Sequence, residues 1–371
     1  MDSTQFDAIV IGAGMAGATA AAQLAASGRR TALMEAEDTA GYHTTGRSAA
    51  IWILNYGSAD ARILTGASRG FFEDPPPGFS EVKLAHRRAV VFIAPPEQQA
   101  HLARMLAEGQ GMVPISPAAV RQLVPALRPG YAVAAGIEAD AFDMDVAALH
   151  HGYLRQLRAL GGVLALRQRA GRIERRGGDW RVATAAGEVF HAPILVNAAG
   201  AWGDEVAVLA GVRPIGLQPK RRTACIIDPG PYNCADWPLL GDADHSWYVR
   251  PEARRKLMVS PADETDDTPH DVQPDELDVA IAIDRMQQAL DIPVHRIEHS
   301  WAGLRTFTPD RGLAIGPCEA PGFHWMCGQG GYGIQTAPAA GALLAALVNG
   351  SDPGPVLAAA VPLTDPMRFQ R

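Results

Sequence analysis

The apolar positions of this chain follow two rhythms, and the change between them marks out its parts. Phe6–Ile11 is a short β-rich run, Gly12–Gly17 is a glycine turn, and Ala18–Ala26 is a strong helix former closed by Ser27-Gly28. Thr31–Glu35 reads as a second strand, so a βαβ unit opens the chain and predicts a parallel, doubly wound sheet. From Trp52 to about Asp140 the pattern shifts to short strands such as Ala89–Ala94, short helices, and proline clusters at Pro75–Pro77 and Pro95-Pro96. Asp145–Leu160 has helical spacing with Asp145 placed as an N-cap. Strands around Arg172–Glu174 and Trp180–Ala183 lead into the apolar strand Pro193–Val196, which returns to the first sheet. Leu217–Ile227, Ser246–Arg250 and Lys256–Ser260 again read as strands, and Glu276–Ala289 as a helix. From Trp301 the chain comes back to the first domain and ends with the glycine-rich Gly328–Gly333 and a helix over Ala337–Val348.

The expected fold class is therefore α/β. A doubly wound, Rossmann-like domain takes residues 1–51, 141–215 and 301–371, and a second, α+β domain with a mixed, largely antiparallel sheet takes 52–140 and 216–300. No internal repeat is visible. A length of 371 residues agrees with two domains, because one hydrophobic core stops growing at roughly 250 to 300.

Composition narrows the function classes. Apolar residues at 47% and charged residues at 20% are those of an ordinary globular protein, and 38 Gly with 28 Pro imply many turns but no low-complexity tract. A net charge of -7 is repelled by phosphate backbones, so nucleic acid is not an expected partner. Ala337–Val348 is about half the ~20 residues that a membrane helix needs. No secretion signal precedes the first strand, so the cytoplasm is the expected location. Cys225, Cys234, Cys318 and Cys327 form no CxxC pair, and we expect reduced, structural thiols. His150 and His151 are adjacent on a helix and point apart; surface positions are expected rather than a metal site.

Gly12, Gly14 and Gly17 form GxGxxG between a predicted strand and helix, with Met15 and Ala16 inside the motif, and Glu35-Ala36 ends the next strand. In that placement the first glycine permits a tight turn, the second admits a pyrophosphate to the backbone, and the third lets helix and strand close together. Glu35 would take ribose hydroxyls, which argues against a 2'-phosphate and hence against NADP. NAD remains open on this motif alone.

Three further segments decide between the dinucleotides by resemblance. Gly41-Tyr42-His43-Thr44-Thr45-Gly46-Arg47-Ser48-Ala49-Ala50, then Val196-Asn197-Ala198-Ala199-Gly200-Ala201-Trp202, then Gly330-Gly331-Tyr332-Gly333-Ile334-Gln335-Thr336 resemble the flavin-contacting segments of the D-amino-acid oxidase family. That family includes glycine oxidase, sarcosine oxidase and D-arginine dehydrogenase. The likeness to the last covers nearly the whole chain, including Leu217-Gln218-Pro219-Lys220-Arg221-Arg222 and Trp301-Ala302-Gly303-Leu304-Arg305. The resemblance implies an FAD-binding domain and a substrate-binding domain that meet across the isoalloxazine ring. A helix beginning near Thr336 would then point its positive end at the flavin. Sarcosine oxidases tether their flavin through a cysteine before a Thr-Pro-Asp stretch. Here Gly303–Asp310 has no cysteine, so non-covalent FAD is expected.

The resemblance also carries the substrate site. Arg222 and Arg305 match arginines that bind the substrate carboxylate, Tyr248 matches a tyrosine that reaches the same group, and Tyr56 matches a loop tyrosine over the site. A planar guanidinium suits that task because two parallel hydrogen bonds fix place and rotation together. Two positions depart from D-arginine dehydrogenase: Ile51 stands where that enzyme has a histidine, and Ala89 stands at or beside its guanidinium-binding glutamate. An unpaired buried cation costs several kcal/mol, so D-arginine should be a poor substrate. With Ile51, Trp52 and Ile53 nearby, an apolar substituent is expected.

Two substrate geometries remain, a D-amino acid with an apolar side chain or an N-substituted glycine that releases glyoxylate. In both, hydrogen leaves the carbon between amine and carboxylate, and hydrolysis of the imine gives a 2-oxo acid and an amine or ammonia. The electron acceptor is oxygen or a quinone. Competing readings are an NADPH-requiring flavin hydroxylase, which has no use for paired carboxylate-binding arginines, and a non-catalytic FAD-binding protein.

Overall fold

In the computed structural model, which describes residues 4–369, the first sheet has six strands in the order Ala314–Pro317, Phe323–Cys327, Ile194–Asn197, Ala8–Ile11, Thr31–Met34 and Val163–Ala165. Residues 1–3 and 370–371 of the expected first domain lie outside the described residues. All neighbouring strands are parallel except Ala314–Pro317 against Phe323–Cys327. Such strands are covered on both faces, which is why AIVI, TALM and ILVN are unbroken runs without alternation.

One face carries the helices Met15–Ala26, Val146–Ala159 and Gly333–Asn349. Asp145 is the N-cap of the second, accepting a bond from Ala148 N at 2.8 Å. Helices Met15–Ala26 and Gly333–Asn349 cross closely: a Cβ on Gly341 would lie 2.4 Å from Thr19 Oγ1. On the other face Ala170–Arg176, Asp179–Thr184 and Val189–Ala192 form an antiparallel sheet, with Trp180 edge-on to Phe323 at 5.8 Å.

A second large sheet has nine strands and is antiparallel throughout except where Leu239–Asp242 runs parallel to Val90–Ala94. Its longest pair joins Gln218–Ile227 to Ile297–Phe307. That pairing places the expected domain boundary at residue 301 inside a strand; the chain reaches the first sheet again only at Ala314. Ile51–Trp52, Phe142–Met144 and Ala85–Arg87 make a small sheet where the chain passes between the two large ones.

Sequence boundaries shift by a few residues. The last helix starts at Gly333, four residues before the expected Ala337, and carries Pro338 inside it, so the glycine-rich segment supplies its first turn. His150 corrects an expectation: it is 4% exposed, and its Nε2 is 2.9 Å from Ala13 O in the glycine turn, while His151 is exposed as expected. The single stripe of helical periodicity puts His150 on the buried face of Val146–Ala159 beside Leu149 and Tyr153. No group of His, Cys, Asp or Glu suited to a metal occurs among the described residues. No disulfide joins the four cysteines, and among the described residues no helix is long and apolar enough to cross a membrane.

Candidate active site

The two sheets enclose a cavity of about 760 Å³, within the size range of cofactor and substrate sites. One end is the glycine turn. Gly12 has φ +100°, and a Cβ there would lie 2.5 Å from Ala198 O, so only glycine lets this turn pass under the Ile194–Asn197 strand. Glu35 lines the same end, its carboxylate oriented by Ala13 N at 2.8 Å and Glu37 N at 3.0 Å. Thr45 Oγ1 accepts from Met15 N at 2.9 Å, bringing the segment Thr44–Arg47 against the start of the first helix.

Of the residues expected at the cofactor, all but Gly17, Gly46 and Tyr332 line this cavity. Gly17 and Gly46 serve close backbone approach instead. A Cβ at Gly17 would lie 1.8 Å from Gly12 O, and one at Gly46 would lie 2.8 Å from Gly41 O. Tyr332 is buried behind the wall, edge-on to Phe307 and Tyr56, with its hydroxyl donating to Arg311 O. The first turn of helix Gly333–Asn349 reaches the cavity through Gly333, Ile334 and Gln335, and its unpaired N–H groups favour negative charge there.

The other end is built on the long antiparallel pair. Register sets Arg222 opposite Gly303 and Lys220 opposite Arg305, so Arg222 and Arg305 are diagonal neighbours on one face. Gly303 presents no side chain between them. Arg305 Nη1 donates to Tyr56 Oη at 3.0 Å and makes no ion pair among the described residues. Arg222 Nε donates to Asp263 O at 2.8 Å, and its Nη2 is 3.4 Å from Glu264 Oε1. Glu264 is closer to Arg311, at 2.9 Å.

Electrostatics separates the two guanidiniums. Burial, then the positive charge of Arg305, holds Arg222 below the ordinary arginine value. Burial also opposes the charge on Arg305, but the phenol oxygens of Tyr56 and Tyr248 with Glu264 and Asp263 outweigh it and raise its pKa. For Tyr248, burial pushes the phenol up, and Arg305, Arg222 and Ser260 together bring it below the usual tyrosine value. This end of the cavity is thus arranged around positive charge.

Ile51, Ile53, Phe92 and Leu239 form an apolar wall near the arginines. Ile51 lines the cavity as expected, whereas Ala89 does not: it precedes the strand Val90–Ala94 and its carbonyl accepts from Leu239 N at 3.0 Å. Phe92 is the residue that this strand sends into the cavity. Sequence reasoning missed Phe92 because VVFIA is apolar throughout and nothing in its pattern tells the cavity face from the core face. It also missed Asp244 and His245 at the rim, where His245 has φ +54° and stands edge-on to Phe92 at 5.0 Å. A non-glycine residue in the left-handed region was the signal available only from the backbone. No cysteine lines the cavity among the described residues.

A glycine turn with a terminal acid, a long cavity and a guanidinium pair at its far end define a dinucleotide-dependent enzyme. Residues 7–347 match the DAO family model, described as FAD dependent oxidoreductase, and the chain belongs to that family. FAD is its cofactor. Among curated proteins it is similar to hydrogen cyanide synthase subunit HcnC of Pseudomonas aeruginosa, 26% identical over 43% of this chain, and the match spans only 38% of that protein. Among solved structures it is similar in fold to glycine oxidase from Geobacillus kaustophilus, with TM-score 0.82, 18% identity, and 94% of this chain and 96% of that one covered. It is likewise similar to L-proline dehydrogenase from P. horikoshii, with TM-score 0.84, 20% identity, and coverage of 99% and 98%.

Proposed function

We propose that this protein oxidises the carbon between the amine and the carboxylate of a small amino-acid-like substrate bearing an apolar substituent. The observation that carries this reading is Arg305, a half-buried guanidinium with no carboxylate paired to it among the described residues, set diagonally to Arg222 and hydrogen-bonded to Tyr56. Tyr56, Tyr248, Glu264 and Asp263 keep the group charged, yet no carboxylate among the described residues bonds it directly, so its remaining N–H donors are available to a substrate carboxylate. Arg305 and Arg222 bind the substrate carboxylate, and Tyr56 and Tyr248 add hydroxyls to the same group.

The residues present fit FAD: Glu35 stands where ribose hydroxyls would bind, the glycine turn and Thr45 where the pyrophosphate would, and the Gly333 helix terminus at the substrate end. Bound there, FAD supplies the acceptor for the hydride. The chain's own part is positioning: anchoring the carboxylate fixes which carbon is presented, and Ile51, Ile53, Phe92 and Leu239 receive the substituent and exclude water. None of Ile51, Ile53, Phe92 and Leu239 offers a carboxylate to a basic side chain, and the acids lining the cavity there, Asp244 and Glu264, are already paired with His101 and Arg311, which supports the expectation that D-arginine is a poor substrate.

The substituent hangs from the α-carbon in a D-amino acid or from nitrogen in an N-alkylglycine, and both give a 2-oxo acid after imine hydrolysis. The similarity in fold to glycine oxidase and L-proline dehydrogenase supports a CH–NH substrate. The test is anaerobic bleaching of the flavin absorbance by D-amino acids, their L-enantiomers and N-alkylglycines of increasing length. Fast bleaching by one apolar class supports the proposal and selects the geometry. Preference for basic substrates, or bleaching by NADPH alone, overturns it.

A further inference from the structure

The carboxyl of Glu138 is 2% exposed, lies outside the cavity, and has no place in the chemistry just described. It ends the strand Ala134–Glu138, paired with Val90 on one side and Met112 on the other. Its Oε1 accepts from Leu54 N at 2.6 Å and its Oε2 from Asn55 Nδ2 at 2.8 Å. The next residue is Tyr56.

The segment leading to Tyr56 is held from two sides. Gln335, in the first turn of the last helix, accepts from Ile53 N and donates to Ile53 O, each at 3.2 Å. From the second sheet, Glu138 holds Leu54 and Asn55. Beyond Tyr56 the chain turns at Gly57, φ +97°, where a Cβ would lie 2.8 Å from the Tyr332 ring. Tyr56 itself is on Arg305.

We propose that Glu138 is a positioning residue: as a carboxylate it clamps the segment Ile53–Tyr56 and so sets the place of the Tyr56 hydroxyl and of Arg305 at the substrate carboxylate. The inference rests on the reading of Arg305 and Tyr56 as carboxylate-binding groups.

The clamp requires two acceptors. Asn55 Oδ1 accepts from Gln110 N at 2.8 Å and its Nδ2 donates to Gln110 O at 2.9 Å, so backbone on both sides fixes the orientation of the amide. Asn55 therefore always offers Glu138 a donor, and Leu54 N is a donor by nature. A neutral amide at position 138 can satisfy one of them and must turn its own N–H toward the other. Burial raises the Glu138 carboxyl above the usual carboxylate range, against the opposing pull of Asn55, Leu54 and Arg62. Leu54 N and Asn55 Nδ2 each donate to a different oxygen of Glu138, the geometry of a carboxylate used as a double acceptor, which places the segment rather than filling space.

The experiment uses the FAD-loaded enzyme and benzoate as a carboxylate probe, read by perturbation of flavin absorbance, with hydrogen exchange over residues 53–57 as a readout that needs no ligand. Glu138→Gln should weaken benzoate binding about tenfold, the effect of one charge-assisted hydrogen bond, and should speed exchange in the segment. The apparent KM for the best bleaching substrate should rise by a similar factor, with the limiting rate of flavin reduction changed less than about threefold. Adding Asn55→Asp restores the match: one carboxylate oxygen still accepts from Gln110 N, the other accepts from the amide introduced at position 138, and the exposed Gln110 carbonyl turns to water.

Recovery of benzoate affinity and slow exchange in the double variant supports the clamp. Unchanged exchange and affinity in Glu138→Gln overturn it, as does failure of the double variant to recover either while its melting temperature matches the wild type. If exchange responds and recovers as described but the wild type binds no carboxylate, the clamp stands and the carboxylate reading of Arg305 fails.

Discussion

Replacing Arg305 by Met removes the planar cation while keeping an unbranched stem of similar reach. Its Nη1 is held by Tyr56 Oη at 3.0 Å, and the side chain stands diagonally to Arg222 across the strand pair. A substrate carboxylate bound through two charge-assisted hydrogen bonds loses both, at about 1.5–3 kcal/mol each. The sum, about 3–6 kcal/mol, corresponds to roughly two to four decades in kcat/KM. Arg222 and Tyr248 stay in place and keep the carboxylate from being stranded, so the lower part of that range is expected. Arg305→Lys keeps the charge but loses the fork, and a loss of about ten- to a hundredfold is expected. The assay is anaerobic stopped-flow bleaching with the best substrate, in variants whose flavin content and melting temperature match the wild type. The loss should appear mainly in KM, since carboxylate contacts persist from ground state to transition state. If Arg305→Met retains kcat/KM within about threefold, the carboxylate assignment is wrong.

Phe92→Ala should cost about tenfold in KM for substrates with large apolar substituents and leave glycine or sarcosine unaffected, because roughly 1.5 kcal/mol of apolar burial is lost only where the substituent reaches the wall; steady-state kinetics across chain length checks this. His150 should make stability acid-sensitive. Burial, opposed by its bond to Ala13 O, holds its pKa below the ordinary 6.5, so the unfolded chain takes up the proton first; stability present above 6.5 is lost as pH falls toward the folded value. Thermal melts of the holoenzyme between about pH 5 and 8 should show this fall, and His150→Gln should flatten it. Gly12→Ala should give protein that purifies without flavin, since a Cβ meets Ala198 O at 2.5 Å in a backbone that L side chains rarely adopt; the ratio of flavin to protein absorbance reads it.

What the chain determined locally was legible without coordinates. Glycine spacing in Gly12–Gly17, the acid at Glu35, and the Asp145 cap are short-range features whose physics sits within one turn or one strand end. The alternation of apolar runs and helical stripes was enough for two sheets of different kind, because parallel strands must be apolar on both faces. Individual placements were not legible wherever a residue's environment comes from chain distant in sequence. Phe92 and Ala89 are three residues apart on adjoining backbone, and only the packing of Val90–Ala94 beside Leu239–Asp242 puts one in the cavity and the other outside it. His150 reads as a surface residue until the glycine turn is folded onto its helix, and the chain from Trp301 reads as a return to the first domain until the register of Ile297–Phe307 with Gln218–Ile227 is set. The same register, a property of two strands some eighty residues apart in the chain, sets Arg222 beside Arg305. Residue types can state which chemistry is available, but long-range pairing decides which groups meet, because hydrogen-bond register and close packing are settled between segments and not within them.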